Sequence, residues 1–226
     1  MELIYEELTH SYWLNGQKKR ALSDVLDVAE VELCRRFSIP YFGLTLDLRF
    51  VRDHIRENVC ARNSQVDHVN SRILEGKWNE QDEWGVSEEA LPLVCALYKY
   101  WEAHLAEVHR PSLAVQTPLY CPALDFCTLP DWHDAESVND LKCGKTPSRT
   151  WGLRMAGQAL AHGRARVQRV VQLEPHLKTR KWSVFVRSKH YDARVYHPLD
   201  EAVVRAAALE RFDDPIFEQW KGRIAA

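Results

Sequence analysis

Residues Leu129–Lys142 read LPDWHDAESVNDLK and place three aspartates, a glutamate and a lysine between two apolar segments. With Ala135 and Glu136 as a two-residue loop, Asp134 pairs with Ser137 and Asp131 falls directly opposite Asp140. Opposed residues of an antiparallel pair have Cβ atoms about 4.5–5.5 Å apart, so two like charges there repel and a shared cation relieves them. Side chains alternate along a strand, which sets Lys142 on the face of Asp140 and turns Trp132 and Leu141 the other way. Asp131 and Asp140 supply the hard oxygen ligands that Mg²⁺ prefers, and Lys142 supplies an ammonium to orient water and offset charge on phosphorus. The alternative is a solvated hairpin with a cross-strand ion pair.

Outward from this hairpin the chain alternates between helical and strand patterns. SYWLNGQKKRAL predicts an N-terminal hairpin turning at Asn15-Gly16, and Ser23 is the expected cap of a helix to about Arg36. Asp47 to Leu74 has helical spacing, with Gly76 as its stop. Ser87 is the expected cap of a long helix carrying Leu93, Leu97, Tyr100, Trp101 and Leu105, with Pro92 in its first turn. SLAVQTPLYC, FCTLPDW and SVNDLKC predict strands, RTWGLRMAGQALAH a helix, VQRVVQLEP and KWSVFVRS strands, and PLDEAVVRAAALERF a closing helix. This order predicts an α/β (α+β) fold: one mixed β-sheet flanked by helices, with an N-terminal helical lobe. Residues 1–226 are expected to form one domain, with the hairpin and helical lobe in 1–110 and the core sheet and helices in 111–226.

Charge is distributed unevenly. Lys142 to Arg194 holds thirteen Lys and Arg against Glu174 and Asp192, a net +11, and the remainder carries −13. Such a basic stretch suits a solvated face, an acidic protein or a nucleic acid. The six cysteines form no C-x-x-C pair, so reduced and mostly buried thiols are expected. The acidic start and the lack of a long apolar run predict neither signal peptide nor membrane span, hence a cytoplasmic protein. The histidines form no His-Glu-x-x-His, and there is neither a nucleophile elbow nor a phosphate-binding glycine loop.

Pro130-Asp131 followed by Asp140-Leu141-Lys142 resembles the signature of the PD-(D/E)XK nuclease superfamily. Leu8–Leu26 resembles the N-terminal hairpin and helix of its RecB-like and phage-exonuclease branch. Val115–Trp132 resembles the strand pair that carries the family's Glu and first Asp, and Asp140–His162 its D-x-K strand and Gln-x-x-x-Tyr helix. The resemblance implies a restriction-endonuclease-like core and DNA cleavage dependent on Mg²⁺ or Mn²⁺. It makes Asp131 and Asp140 metal ligands and Lys142 the catalytic lysine. Gln116 stands at the family's Glu, Asp67 at its histidine ligand with His68 adjacent, Thr128 at a usual Gly, and Arg154 and Gln158 at the Gln and Tyr of the helix motif. Lys145, Arg149, Arg154 and Gln158 become the expected DNA-binding residues. A homo-oligomer and a recombination partner protein are both compatible with the resemblance.

Three readings follow: a metal-dependent deoxyribonuclease acting as an exonuclease on duplex ends, a nuclease-derived protein that binds DNA or a protein without cutting, and an interaction domain whose basic face meets an acidic protein.

Overall fold

The computed structural model describes residues 2–37, 53–79, 85–104, 112–143, 151–175, 182–187, 198–212 and 214–225. Strand β1 (Leu3–Glu6) pairs antiparallel with β2 (Ser11–Leu14), and β2 with β3 (Gln17–Ala21). Asn15 and Gly16 link β2 to β3 with φ of 49° and 77°, the two positive values that a type I′ hairpin turn requires. Helix α1 (Leu22–Phe37) begins one residue before the expected cap. The side chain that closes its first turn is Asp24, whose carboxylate accepts the Ala21 amide at 3.0 Å, so Ser23 lies inside the helix.

Two sheets form where the sequence predicts one. In the first, β3 pairs parallel with β6 (Phe126–Thr128), which pairs antiparallel with β5 (Leu119–Cys121), giving the order β1-β2-β3-β6-β5. The second has the order β10-β9-β8-β7-β4, from β4 (Ala114–Val115), β7 (Trp132–His133), β8 (Ser137–Cys143), β9 (Val167–Pro175) and β10 (Trp182–Arg187). FCTLPDW looks like one strand but divides at Leu129-Pro130, because proline offers no amide to a ladder and restricts the residue before it. Its first half stays with β5 and its second half joins β8. The N-terminal hairpin is therefore paired into the sheet containing β6.

Within the second sheet β8 and β9 are parallel, joined through helix α4 (Trp151–His162), and the other pairs are antiparallel. Alternation along β8 divides its side chains between two layers. Leu141 packs with Trp132, Val171 and Leu173 against helices α2 (Asp53–Leu74) and α3 (Leu91–Ala103). Val138 packs on Met155 and Ala159 of α4. Asp140 and Lys142 share the parity of Val138, which directs them to the α4 side of the sheet.

Helix boundaries depart from the sequence expectation for local reasons. Ser87 does not cap α3: its hydroxyl accepts the Ala90 amide at 3.3 Å in a preceding turn, and the helix starts at Leu91 with Pro92 in its first turn. Leu93, Leu97, Tyr100 and Trp101 are buried as the spacing predicts, while Leu105 lies outside the described residues. Asp47 to Arg52 also lie outside them, and α2 ends as expected at Gly76, whose amide reaches the Ile73 carbonyl at 3.0 Å. After α5 (Pro198–Ala208) comes a further helix, α6 (Asp214–Ala225), where the sequence reading stopped. Asp214-Pro215 was its start signal, and Phe217 and Trp220 bury its apolar side against α1, α4 and α5. No described helix is long and apolar enough to cross a membrane.

Candidate active site

The hairpin register matches the sequence expectation. Trp132 faces Asn139 and His133 faces Val138, and the Asp134 amide donates to the Ser137 carbonyl at 3.0 Å. Asp134 Oδ1 accepts the Glu136 and Ser137 amides, both at 2.8 Å, so the loop is closed by its own side chain. Continued one pair further, the same register opposes Asp131 to Asp140.

Asp140 is 2% exposed. Its Oδ2 pairs with the Lys142 ammonium, and its Oδ1 accepts a hydrogen bond of 3.4 Å from Gln158 Nε2. Burial opposes the charge on Asp140, but Lys142, the nearby Arg154 guanidinium and these hydrogen bonds outweigh it and hold the carboxyl below the ordinary range. Asp131 has the opposite fate. Burial, then the charges of Asp140 and Asp67, push it up to about 8 against the pull of Lys142 and of the Leu141 amide, which donates to Asp131 Oδ2. Asp67, on α2, is pushed up to about 6 by burial, with Asp140 adding and Lys142 opposing. Three carboxylates, from the residue before β7, from β8 and from α2, thus share one field with Lys142.

Asp67, Asp131, Asp140 and Lys142 come together, and Arg154 and Gln158 of α4 join them at Asp140. Gln116 meets the site through its backbone: its amide donates to the Asp131 carbonyl at 3.0 Å, its φ is 42°, and its side chain is exposed. His68 is exposed on α2. Lys145 and Arg149 lie outside the described residues. Cys143 ends β8 beside the site, where burial and then Asp67 push its thiol up to about 12.

Two neighbours went unnoticed in the sequence. Arg62, one turn before Asp67 on α2, lowers the Cys143 pKa electrostatically and donates to Asn63 Oδ1 at 3.1 Å. Tyr12 of β2 is buried and lies within the field of Arg154. Arg62 carried no motif and Tyr12 was read only as part of the N-terminal hairpin; the fold brings both near the site.

Among the described residues no three His, Cys, Asp or Glu side chains are gathered tightly enough to hold a metal ion. Asp140 is turned onto Lys142 and Gln158, and Asp131 onto the Leu141 amide. The chemistry of the donor set suits a hard divalent cation, since Asp67, Asp131 and Asp140 supply carboxylate oxygens within one another's field.

No protein-family model and no curated protein matches this chain. A solved structure described as "Crystal structure of SSO0001" is 12% identical, over 57% of this chain and 75% of the other, with a TM-score of 0.28.

Proposed function

We propose that this chain is a metal-dependent deoxyribonuclease with a restriction-endonuclease-like core, hydrolysing phosphodiester bonds as an exonuclease on duplex ends. One observation carries the reading: the β7–β8 register, continued one pair beyond β7, brings Asp131 level with Asp140, with Lys142 on Asp140 and Asp67 in the same field. A surface hairpin has no need to bury Asp140 and to raise the pKa of a half-buried Asp131 beside it to about 8. Asp131 and Asp140, with Asp67 completing the set, would hold Mg²⁺ or Mn²⁺. The bound ion supplies Lewis acidity to the phosphoryl oxygen and a more acidic water.

The residues divide the remaining work. Asp140 keeps its charge through Lys142 and Arg154, which makes it the ligand already prepared for a cation. Asp131 and Asp67 would have to be deprotonated to serve as ligands. Lys142 must turn from Asp140 toward the attacking water and the phosphate, where an ammonium offsets the charge growing on phosphorus. Arg154, half-buried beside Asp140, is placed to grip a phosphate oxygen.

A second reading, a nuclease-derived DNA-binding protein that does not cut, is favoured by the engagement of Lys142 with Asp140 and by the exposed Gln116 in place of a buried acid. End-labelled linear duplex incubated with Mg²⁺ or Mn²⁺ separates the two. Shortening by wild type, with loss of at least about 10²-fold in Asp140→Ala, supports the enzyme. Intact DNA under both metals removes it and leaves the binding protein.

A further inference from the structure

Gln158 stands beside Arg154 on α4 at the usual helical spacing of a solvent-facing pair, yet it is 0% exposed. Its neighbours on the helix are apolar, with Met155 and Ala159 packed on Val138. A leucine or methionine would fill such a position without a polar group to satisfy. Instead the amide directs Nε2 at Asp140 Oδ1, 3.4 Å away, while Oε1 is buried with no hydrogen-bond partner among the described residues. A buried unpartnered amide oxygen costs about 1–3 kcal/mol, so the hydrogen bond at the other end has to matter to the site. The direction of the amide is fixed by chemistry: turned over, its oxygen would face a carboxylate that carries its charge.

We propose that Gln158 is a positioning residue for the metal ligand Asp140 and makes no contact with DNA. Asp140 Oδ2 is engaged by Lys142, which must leave it during the reaction proposed above. Gln158 then holds Oδ1, so the carboxylate keeps its orientation while its other oxygen becomes free to meet a cation. This inference rests on the reading of Asp140 as a metal ligand. Partners that orient a ligand in this way commonly change metal affinity by about 10–100-fold when removed.

The experiment measures Mn²⁺ binding to DNA-free protein by electron paramagnetic resonance, and duplex affinity without divalent metal, in wild type, Gln158→Met and Gln158→Asn. Methionine keeps the volume without the amide; asparagine keeps the amide but falls one methylene short of Asp140. Thermal melts establish that each variant is folded, and the second variant serves if the first is not. The expected result is Mn²⁺ affinity weakened about 10–100-fold in both, with duplex affinity within about twofold of wild type. Unchanged Mn²⁺ affinity in a folded variant overturns the proposal, as does a loss confined to duplex affinity, which would make Gln158 a DNA contact. Absence of Mn²⁺ binding in wild type overturns the metal reading itself, and this inference with it.

Discussion

Asp131 holds its proton far above the usual range, its pKa raised from 3.8 to about 8 by burial first and by Asp140 and Asp67 next. The folded protein therefore keeps a proton that the unfolded chain has lost across that interval. Stability from this group is complete below about pH 4 and drains away as the pH climbs through 8, with Asp67 adding to the loss up to about 6. Metal-free protein is expected to melt at a lower temperature near pH 8 than near pH 5, and Asp131→Asn to flatten that slope; equal slopes in the two would contradict the assignment. Mn²⁺ should bind more tightly as the pH rises over the same interval and release protons, which calorimetry in buffers of different ionisation enthalpy would read. The opposition of Asp131 and Asp140 was legible in the sequence, because a two-residue loop and period-two alternation determine it. The position of Asp67 was not legible from spacing, since α2 arrives from more than sixty residues upstream and only the family resemblance singled it out. Nor was the inward direction of Gln158, since Arg and Gln four apart look like an exposed helix face.

At the scale of elements, α4 is positioned by what it lacks. A Cβ on Gly157 would lie 2.4 Å from Leu22 Cδ1 and 2.7 Å from Cδ2, and Leu22 is itself 4% exposed at the start of α1. Gly157→Ala should gain about 1 kcal/mol of helix propensity and lose about 1–3 kcal/mol to overpacking, a net destabilisation read by chemical denaturation. Because residue 158 follows directly, the displaced helix should also weaken Mn²⁺ binding. Leu22→Val makes room, so the double variant is expected to be more stable than the sum of the single changes; strict additivity would contradict the contact. Strand and helix existence was mostly legible from periodicity. The division of FCTLPDW between two sheets was not, since Leu129-Pro130 reads as an edge signal without naming the partner strand. Helix α6 was missed because its start, Asp214-Pro215, follows so closely on the preceding helix.

For the whole molecule, Lys142 to Arg194 carries an excess of +11, and its described basic residues do not all lie together. Arg154 and Lys142 face the carboxylates, whereas Arg164 and Arg166 are exposed near the hairpin loop, where the Arg166 amide donates to the Glu136 carbonyl at 2.7 Å. Six residue steps along the strand separate Glu136 from Lys142, roughly 20 Å, so the two groups suit different stretches of one polyanion. Binding to duplex should lose about 10³–10⁵ in affinity between about 50 and 200 mM salt if six to ten phosphates are contacted, and Arg164→Glu with Arg166→Glu should flatten that dependence. Affinity insensitive to salt would contradict a DNA-binding face. The sign of this segment was legible from composition, whereas its division between the site and the hairpin loop depends on the βαβ path through α4.

The proposed function puts a cation among Asp67, Asp131 and Asp140, and the most direct measurement is an anomalous difference map from crystals grown in saturating Mn²⁺ near pH 8. The account predicts a peak in contact with Asp131 and Asp140, with Lys142 released from Asp140. A map without that peak, with the Lys142–Asp140 pair intact, would contradict it.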